Sequence, residues 1–182
     1  MKKPPETVQI GERVFSVYIN EETLTNRVKE VGAALYKDYR TKTPYFLMIL
    51  NGSFIFGADL VRAYEGPCEM GFIKLSSYEG TSSTGHVKRG HFPDDLSGKD
   101  VIIVEDIIDS GLTMNQFVED LRQQNPASIA VVSLFVKPEA IQHEVQIDYR
   151  GFDIPNAFIV GYGLDLDEIG RNYRQIYQLV TP

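Results

Sequence analysis

Carboxylate and hydroxyl side chains are concentrated in residues 101–113, which read VIIVEDIIDSGLT. An apolar run leads into two adjacent carboxylates, Glu105 and Asp106, and a third carboxylate, Asp109, follows three residues later. Carboxylates placed in this way can accept hydrogen bonds from a sugar diol or bind a hard cation such as Mg²⁺. This stretch is therefore the first candidate for a binding or catalytic site.

The residues that follow Asp109 are suited to binding an anion. Ser110 and Thr113 carry hydroxyls, and Gly111 allows a positive φ and the close approach of a ligand. A helix that begins at this turn adds unpaired N–H groups and the positive end of its dipole. Together with the carboxylates, the turn predicts a site for a sugar phosphate and a divalent metal. The structural alternative is an acidic strand end and a helix that Asp109 or Ser110 merely caps.

The spacing of apolar residues predicts the elements that position these groups. The run at residues 45–50 has strand length and is followed by the turn Asn51-Gly52-Ser53, after which helical spacing begins at Phe54. Further apolar runs predict strands at residues 70–75, 101–104, 128–136 and 157–161, and helical spacing predicts helices over residues 20–40 and 114–121.

The alternation of strands and helices indicates an α/β fold. Strands that are apolar on both sides, such as residues 101–104, are typical of a mostly parallel sheet with helices on both faces. Ligands bind such sheets at the carboxyl ends of the strands, where Glu105 and Asp106 are expected. The long polar stretch 76–91 predicts either a mobile lid or a surface loop without a function.

The length and composition are those of one globular domain. The chain has 182 residues, of which 43% are hydrophobic and 24% charged, so we expect a single domain over residues 1–182. The net charge is −7, and the excess lies in residues 92–182, which contain 15 acidic and 6 basic residues. This charge disfavours nucleic acid and anionic lipid as partners.

The expected location is the cytoplasm. Cys68 is the only cysteine, as is typical of proteins in a reducing compartment. The basic residues after Met1 are not followed by the apolar segment of a secretory signal. No apolar run approaches the roughly 18 residues of a membrane span, so no membrane partner is expected.

Residues 101–113 resemble the phosphoribosyl diphosphate signature of the type I phosphoribosyltransferases. Further matches, in order along the chain, narrow the resemblance to the 6-oxopurine branch, the hypoxanthine and hypoxanthine-guanine phosphoribosyltransferases. These matches are Leu50-Asn51-Gly52-Ser53, Leu75-Ser76-Ser77-Tyr78, Ser133-Leu134-Phe135-Val136-Lys137, and FIVGYGLD at residues 158–165 followed by Arg171. The resemblance extends from about residue 8 to residue 180.

The resemblance implies a fold and a reaction. The fold is a mostly parallel central sheet flanked by helices, with a small hood built from the chain-terminal segments. The reaction belongs to purine salvage: 5-phosphoribosyl 1-diphosphate and hypoxanthine, or guanine, give IMP or GMP and pyrophosphate, with Mg²⁺ as the cofactor. Members of this family are homodimers or homotetramers, and the same is expected here.

The resemblance also implies roles for individual residues. Asp109 matches the general base that takes a proton from the imidazole ring of the purine. Lys137 matches the donor to the 6-oxo group, which disfavours adenine because adenine carries an amino donor there. The implied roles are 5′-phosphate binding by Asp109, Ser110, Gly111, Leu112 and Thr113; ribose binding by Glu105 and Asp106; pyrophosphate binding by Asn51, Gly52 and Arg171; purine binding by Lys137, Phe158, Ile159 and Asp165; metal binding by Glu105, Asp106 and Asp165; and lid closure by Ser77 and Tyr78.

The chain departs from the family pattern at the first of these loops. Many relatives carry Lys where this chain has Asn51, so an ammonium near the pyrophosphate is missing and main-chain N–H groups are expected to bind it. Leu112 also stands where some relatives have Lys. The family's non-proline cis peptide would lie between Leu50 and Asn51.

Two other functional classes share parts of the pattern. A nucleotide-sensing, RNA-binding regulator on the same fold would need a basic face, which the acidic second half of the chain argues against. A receiver-type phosphoacceptor domain also has an acidic pair at a strand end. In that class the pair follows the first strand, whereas about a hundred residues precede it here.

Overall fold

The computed structural model describes residues 4–75, 92 and 94–180, which form nine strands, three α-helices and one short 3₁₀ helix. In chain order they are β1 (Thr7–Ile10), β2 (Arg13–Ile19), α1 (Glu21–Tyr39), β3 (Tyr45–Leu50), α2 (Phe54–Ala63), β4 (Glu69–Lys74), β5 (Asp100–Ile108), α3 (Leu112–Arg122), β6 (Ser128–Val136), the 3₁₀ helix Pro138–Ala140, β7 (Tyr149–Asp153), β8 (Ile159–Val160) and β9 (Ile176–Leu179). None of the helices within these ranges is long and apolar enough to cross a membrane. The stretch 76–91, with Ser77 and Tyr78, lies outside the described residues.

The central sheet has five strands in the order β4-β3-β5-β6-β7, and every neighbouring pair is parallel. Its inner strands are apolar on both sides because helices cover both faces. Alternate residues of β3, such as Phe46 and Met48, pack with α1 and α2, whereas Tyr45 and Leu47 pack with α3. The predicted mostly parallel sheet with helices on both faces is confirmed.

The third strand of this sheet in chain order, β5, is longer than the sequence indicated. Its pairing with β3 ends at Met48 and Val104, but its pairing with β6 continues to Ile108 and Val136. The prediction of a strand that ends at Val104 is therefore wrong, and Glu105 and Asp106 lie within β5. The end of the strand was predicted too early because the polar side chains of Glu105 and Asp106 interrupt the apolar run.

The helix that precedes the central sheet, α1, begins as its sequence predicts. The side chain of Asn20 accepts a hydrogen bond from the backbone N–H of Thr23 at 2.8 Å, and Glu21 and Glu22 occupy the first turn. Both features satisfy or complement the free N–H groups of the helix end. Leu24, Val28 and other residues at helical spacing are buried against the sheet.

A second, smaller sheet is built from the two ends of the chain. Its strand order is β1-β2-β9-β8, and its pairs are antiparallel. This is the hood that the resemblance implied. The predicted strand 157–161 is shorter, Ile159–Val160, and belongs to this sheet rather than to the central one.

Four of the strands, β1, β2, β7 and β9, were not predicted from the sequence. Three of them have only four or five residues, and they mix polar with apolar side chains. A short mixed segment can be a strand or a loop, and only pairing with a distant neighbour decides which. The alternation of polar and apolar residues in β2 does predict a strand, and β2 forms an antiparallel pair with β1.

Replacement of Asn20 by alanine tests the N-cap of α1. Asn20→Ala is expected to lower the free energy of unfolding by about 1 kcal/mol, because the N–H of Thr23 loses its acceptor. Asn20→Asp keeps a side-chain oxygen in place and serves as the matched control. Urea denaturation of both variants measures the difference, and an equal loss in both would show that the cap contributes nothing.

Candidate active site

A cavity of about 390 Å³ opens at the carboxyl ends of the central strands, where β3 and β5 part. Three chain segments supply most of its walls: the loop after β3, the end of β5 with the turn into α3, and the segment between β8 and β9. The residues that line it are Ile49, Leu50, Asn51, Gly52, Leu75, Glu105, Asp106, Ile107, Ile108, Asp109, Ser110, Gly111, Thr113, Met114, Asp165 and Arg171. Ten of the residues with predicted roles therefore share one cavity.

Two adjacent carboxylates, Glu105 and Asp106, form one wall of this cavity. Burial raises the pKa of Glu105 well above its ordinary value, and the charge of Asp106 raises that pKa further. Burial also raises the pKa of Asp106, although hydrogen bonds from Glu105 and from the backbone of Ile107 and the charge of Arg171 offset part of the shift. Burial is thus the main cause of the raised pKa of both carboxyl groups.

The loop after β3 packs directly against this pair. A Cβ atom added to Gly52 would lie 1.6 Å from Oδ2 of Asp106, so no other residue fits there without a shift of one of the two. The peptide bond between Leu50 and Asn51 is cis, as the resemblance implied. Ser53 is fully buried, and its hydroxyl donates to the carbonyl of Ile49 at 2.6 Å. The main chain of the loop therefore faces the cavity while its hydroxyl side chain faces inward.

The turn from β5 into α3 presents the N-terminus of a helix to the cavity. Gly111 is the N-cap, with φ of +81°, and α3 begins at Leu112. The alternative in which Asp109 or Ser110 is the N-cap is therefore wrong. A glycine cap has no side chain that accepts from the first N–H groups, although the hydroxyl of Ser110 lies 3.4 Å from the nitrogen of Leu112. These N–H groups can bind an anion.

An ion pair joins Asp109 to Lys137 beside the cavity. Nζ of Lys137 lies 2.7 Å from Oδ2 of Asp109, and the lysine follows β6, the strand next to β5. The lysine side chain is buried, with 11% of its surface exposed, whereas 54% of the aspartate side chain is exposed. A carboxylate and a cationic donor thus lie side by side, with the carboxylate open to a ligand.

Arg171 is held at the opposite wall by carboxylates and a carbonyl. Its Nη2 lies 2.8 Å from Oδ1 of Asp165 and 3.0 Å from Oε2 of Glu168. Its Nη1 donates to the carbonyl of Gly163 at 2.9 Å. The other carboxylate oxygen of Asp165 accepts from the backbone N–H of Glu168. Both oxygens of Asp165 are therefore engaged within the protein.

Among the described residues with predicted roles, four do not line the cavity. Leu112 is exposed at the start of α3, and Ile159 is buried within β8. Phe158 has 43% of its surface exposed, and its ring lies 6.3 Å from that of Phe15 in the small sheet. Lys137 lies beside the cavity, in contact with Asp109, which lines it.

Sequence reasoning missed two residues that contribute to the site. Glu168 binds Arg171, and the spacing of three residues between an acidic and a basic side chain was an available signal. Gly163 approaches the carbonyl of Gly52 so closely that an added Cβ would lie 2.0 Å from it. No local signal predicts that contact, because the two glycines are far apart in the sequence.

Comparison with known proteins supports one family. The family model described as "Phosphoribosyl transferase domain" matches residues 20–167. The chain is 42% identical over 161 residues to the hypoxanthine-guanine phosphoribosyltransferase of Bacillus subtilis, a match that covers 87% of this chain and 89% of that protein. It is 41% identical over 166 residues to the enzyme of the same description from Dictyostelium discoideum, with coverage of 88% and 91%.

Solved structures agree with the sequence comparisons. The hypoxanthine phosphoribosyltransferase from Staphylococcus aureus has a TM-score of 0.85 and 37% identity, with 91% of both chains covered. The enzyme from Trypanosoma cruzi has a TM-score of 0.86 and 34% identity, with 95% of both chains covered. The chain therefore belongs to the phosphoribosyltransferase family, on its hypoxanthine-guanine branch.

Proposed function

We propose that the chain transfers the 5-phosphoribosyl group of 5-phosphoribosyl 1-diphosphate to a 6-oxopurine, hypoxanthine or guanine, and releases pyrophosphate. The observation that carries this proposal is the pairing of Asp109 with Lys137, 2.7 Å apart, beside a cavity lined by carboxylates and a helix N-terminus. The ion pair can form hydrogen bonds with a purine base. The rest of the cavity can bind a ribose that carries a 5′-phosphate and a 1-diphosphate.

The edge of a 6-oxopurine that carries N7 and O6 matches this pair. Lys137 donates to O6, and Asp109 accepts the proton of the imidazole ring. Adenine carries an amino group in place of O6, so it would leave the buried lysine facing a donor. The arrangement therefore favours 6-oxopurines over adenine.

The reaction forms one bond and breaks one. N9 of the purine attacks C1′ of the ribose, the bond from C1′ to the pyrophosphate oxygen breaks, and the ring proton passes to Asp109. Positive charge develops on the ribose during this transfer. Glu105 and Asp106 face the ribose hydroxyls, which would donate hydrogen bonds to these half-buried carboxylates.

The two phosphate ends bind at different walls. The N–H groups at the start of α3 and the hydroxyls of Ser110 and Thr113 hold the 5′-phosphate. The main chain at Asn51 and Gly52, together with Arg171, holds the pyrophosphate. A guanidinium suits this anion because it can donate two parallel hydrogen bonds. Arg171 would exchange its contact with exposed Glu168 for the ligand.

The donor set at the acidic wall fits Mg²⁺. Proteins bind this ion through one or two carboxylates together with the phosphates of the substrate. Within the described ranges, no three or more His, Cys, Asp or Glu side chains come together as a metal cage. Glu105 and Asp106 would hold the ion, and Asp165 would contact it through water because its own oxygens are engaged. When bound, Mg²⁺ neutralises charge on the leaving pyrophosphate.

The setting of the enzyme is also part of the proposal. We propose one catalytic domain over residues 1–182, active in the cytoplasm, where a lone thiol such as that of Cys68 is typical. Assembly into a homodimer or homotetramer is supported by the large apolar side chains that the described chain exposes. Met70 and Phe72 are each 48% exposed on β4, which is an edge strand of the central sheet. No observation favours an RNA-binding regulator.

The proposed activity is tested with the purified chain, 5-phosphoribosyl 1-diphosphate, Mg²⁺ and one base at a time. We expect pyrophosphate release with hypoxanthine or guanine and none above background with adenine, because only an oxo group accepts from Lys137. Xanthine completes the panel. Absence of turnover with every 6-oxopurine would contradict the proposal.

Replacement of Asp109 tests the general base. Asp109→Asn is expected to lower kcat by about 10²- to 10⁴-fold with little change in KM, because the amide cannot take the proton. Asp95→Asn, an exposed carboxylate before the amino end of β5, is the control and should leave kcat unchanged. Steady-state kinetics at saturating substrates measure both, and an unchanged kcat in Asp109→Asn removes this role.

Replacement of Gly52 tests the pyrophosphate loop. Gly52→Ala is expected to raise KM for 5-phosphoribosyl 1-diphosphate by about 10²-fold, since the added Cβ forces the loop and Asp106 apart. Gly98→Ala is the control, because Gly98 has φ of +70° but open space around an added Cβ. This variant should lower Tm, since alanine is strained at a positive φ, without changing KM. Equal KM values for Gly52→Ala and the wild type would show that the loop does not bind this substrate.

A further inference from the structure

A hydrogen bond between Tyr162 and Asp59 joins the chain segments behind the two walls that we assign to pyrophosphate. Oη of Tyr162 donates to Oδ2 of Asp59 at 2.6 Å. Asp59 lies in α2, the helix that directly follows the loop at residues 51–53. Tyr162 lies just before the segment that carries Asp165 and Arg171. The bond thus connects parts of the chain that are 103 residues apart.

Tyr162 is fixed at both its backbone and its side chain. Only 7% of the residue is exposed, and its φ of +49° lies in the left-handed region that non-glycine residues rarely occupy. Its backbone N–H donates to the carbonyl of Tyr173 at 2.8 Å. Burial and the carboxylate of Asp59 both raise the pKa of the hydroxyl, so it stays a donor. A conformation of this kind persists where surrounding contacts determine it.

The residue after Tyr162 transmits this fixed position to the site. Gly163 packs on Gly52, and an added Cβ would lie 2.0 Å from the carbonyl of Gly52. The carbonyl of Gly163 accepts from Nη1 of Arg171 at 2.9 Å, and its N–H donates to the carbonyl of Arg171 at 3.0 Å. A shift of Gly163 would therefore move Arg171 relative to the loop.

We propose that Tyr162 and Asp59 are positioning residues that set the distance between the loop at residues 51–53 and Arg171, and thereby the affinity for the diphosphate group. Neither residue lines the cavity, so neither touches the substrate. The inference rests on the proposed function, because it concerns the same site. Asp109 and Lys137 belong to other segments, so their action on the purine depends less on this bond.

The chain offers a matched control for the test. Oη of Tyr149 donates to Oδ2 of Asp38, also at 2.6 Å, and burial and that carboxylate raise the pKa of Tyr149 as they do for Tyr162. This second pair joins β7 to α1, away from the cavity. Tyr149→Phe therefore removes the same kind of hydrogen bond without altering the site.

The experiment compares Tyr162→Phe with Tyr149→Phe in the full chain. Both are expected to lower Tm by similar amounts. Only Tyr162→Phe should raise KM for 5-phosphoribosyl 1-diphosphate, by about tenfold. It should also raise Kd for pyrophosphate with Mg²⁺, measured by calorimetry, by about tenfold. Its KM for hypoxanthine should change less than about threefold. Asp59→Asn keeps an acceptor oxygen and should stay close to the wild type. Asp59→Ala should match Tyr162→Phe, and the double variant should be no worse than either.

Any of three results would overturn the inference. The first is that Tyr162→Phe and Tyr149→Phe have the same KM for 5-phosphoribosyl 1-diphosphate and the same Kd for pyrophosphate, and the second is that Asp59→Asn binds as weakly as Asp59→Ala. The third is that the losses of affinity add up in the variant that combines Tyr162→Phe with Asp59→Ala. If Tyr162→Phe does not fold, Asp59→Ala and Asp59→Asn carry the comparison. A wild-type chain that turns over no 6-oxopurine contradicts the proposed function instead. An active wild type with unaffected variants contradicts the positioning role alone.

Discussion

Close packing of main chain around Gly52 is the constraint on which the site depends. On one side a carboxylate oxygen of Asp106 occupies the space of a side chain, and on the other the carbonyl of Gly52 meets Gly163. The loop after β3 therefore touches the side chain of Asp106 on β5, and it touches the segment between β8 and β9 with no side chain between them. Because interiors this dense deform little, the three walls of the cavity cannot move independently.

The rest of the fold keeps two carboxylates in a place that disfavours their charge. Burial raises the pKa of both Glu105 and Asp106, and only part of the shift is offset from within the protein. Strand β5 holds them there because its preceding residues are fully buried between helices on both faces of the sheet. The apolar core thus offsets the cost of an acidic wall that ligand hydroxyls and a cation can satisfy.

Elements with a strong local signal could be predicted from the sequence, and contacts between distant segments could not. The apolar runs of β3 and β6 and the cap at Asn20 predict their elements. The pairing of Asp109 with Lys137 depends on β5 and β6 being neighbours, which no local pattern states. The packing of Gly52 on Gly163 depends on the small sheet, two of whose strands have only four residues. The family resemblance named ten of the residues that line the cavity, but it did not include Glu168.

The ion pair between Asp109 and Lys137 places opposite charges 2.7 Å apart beside the cavity, so the pair carries almost no net charge. The start of α3, by contrast, keeps the positive end of its helix dipole. An anion is therefore attracted more strongly to the helix end than to the ion pair. One cavity therefore combines a part that favours an anion with a part that can accept an uncharged group.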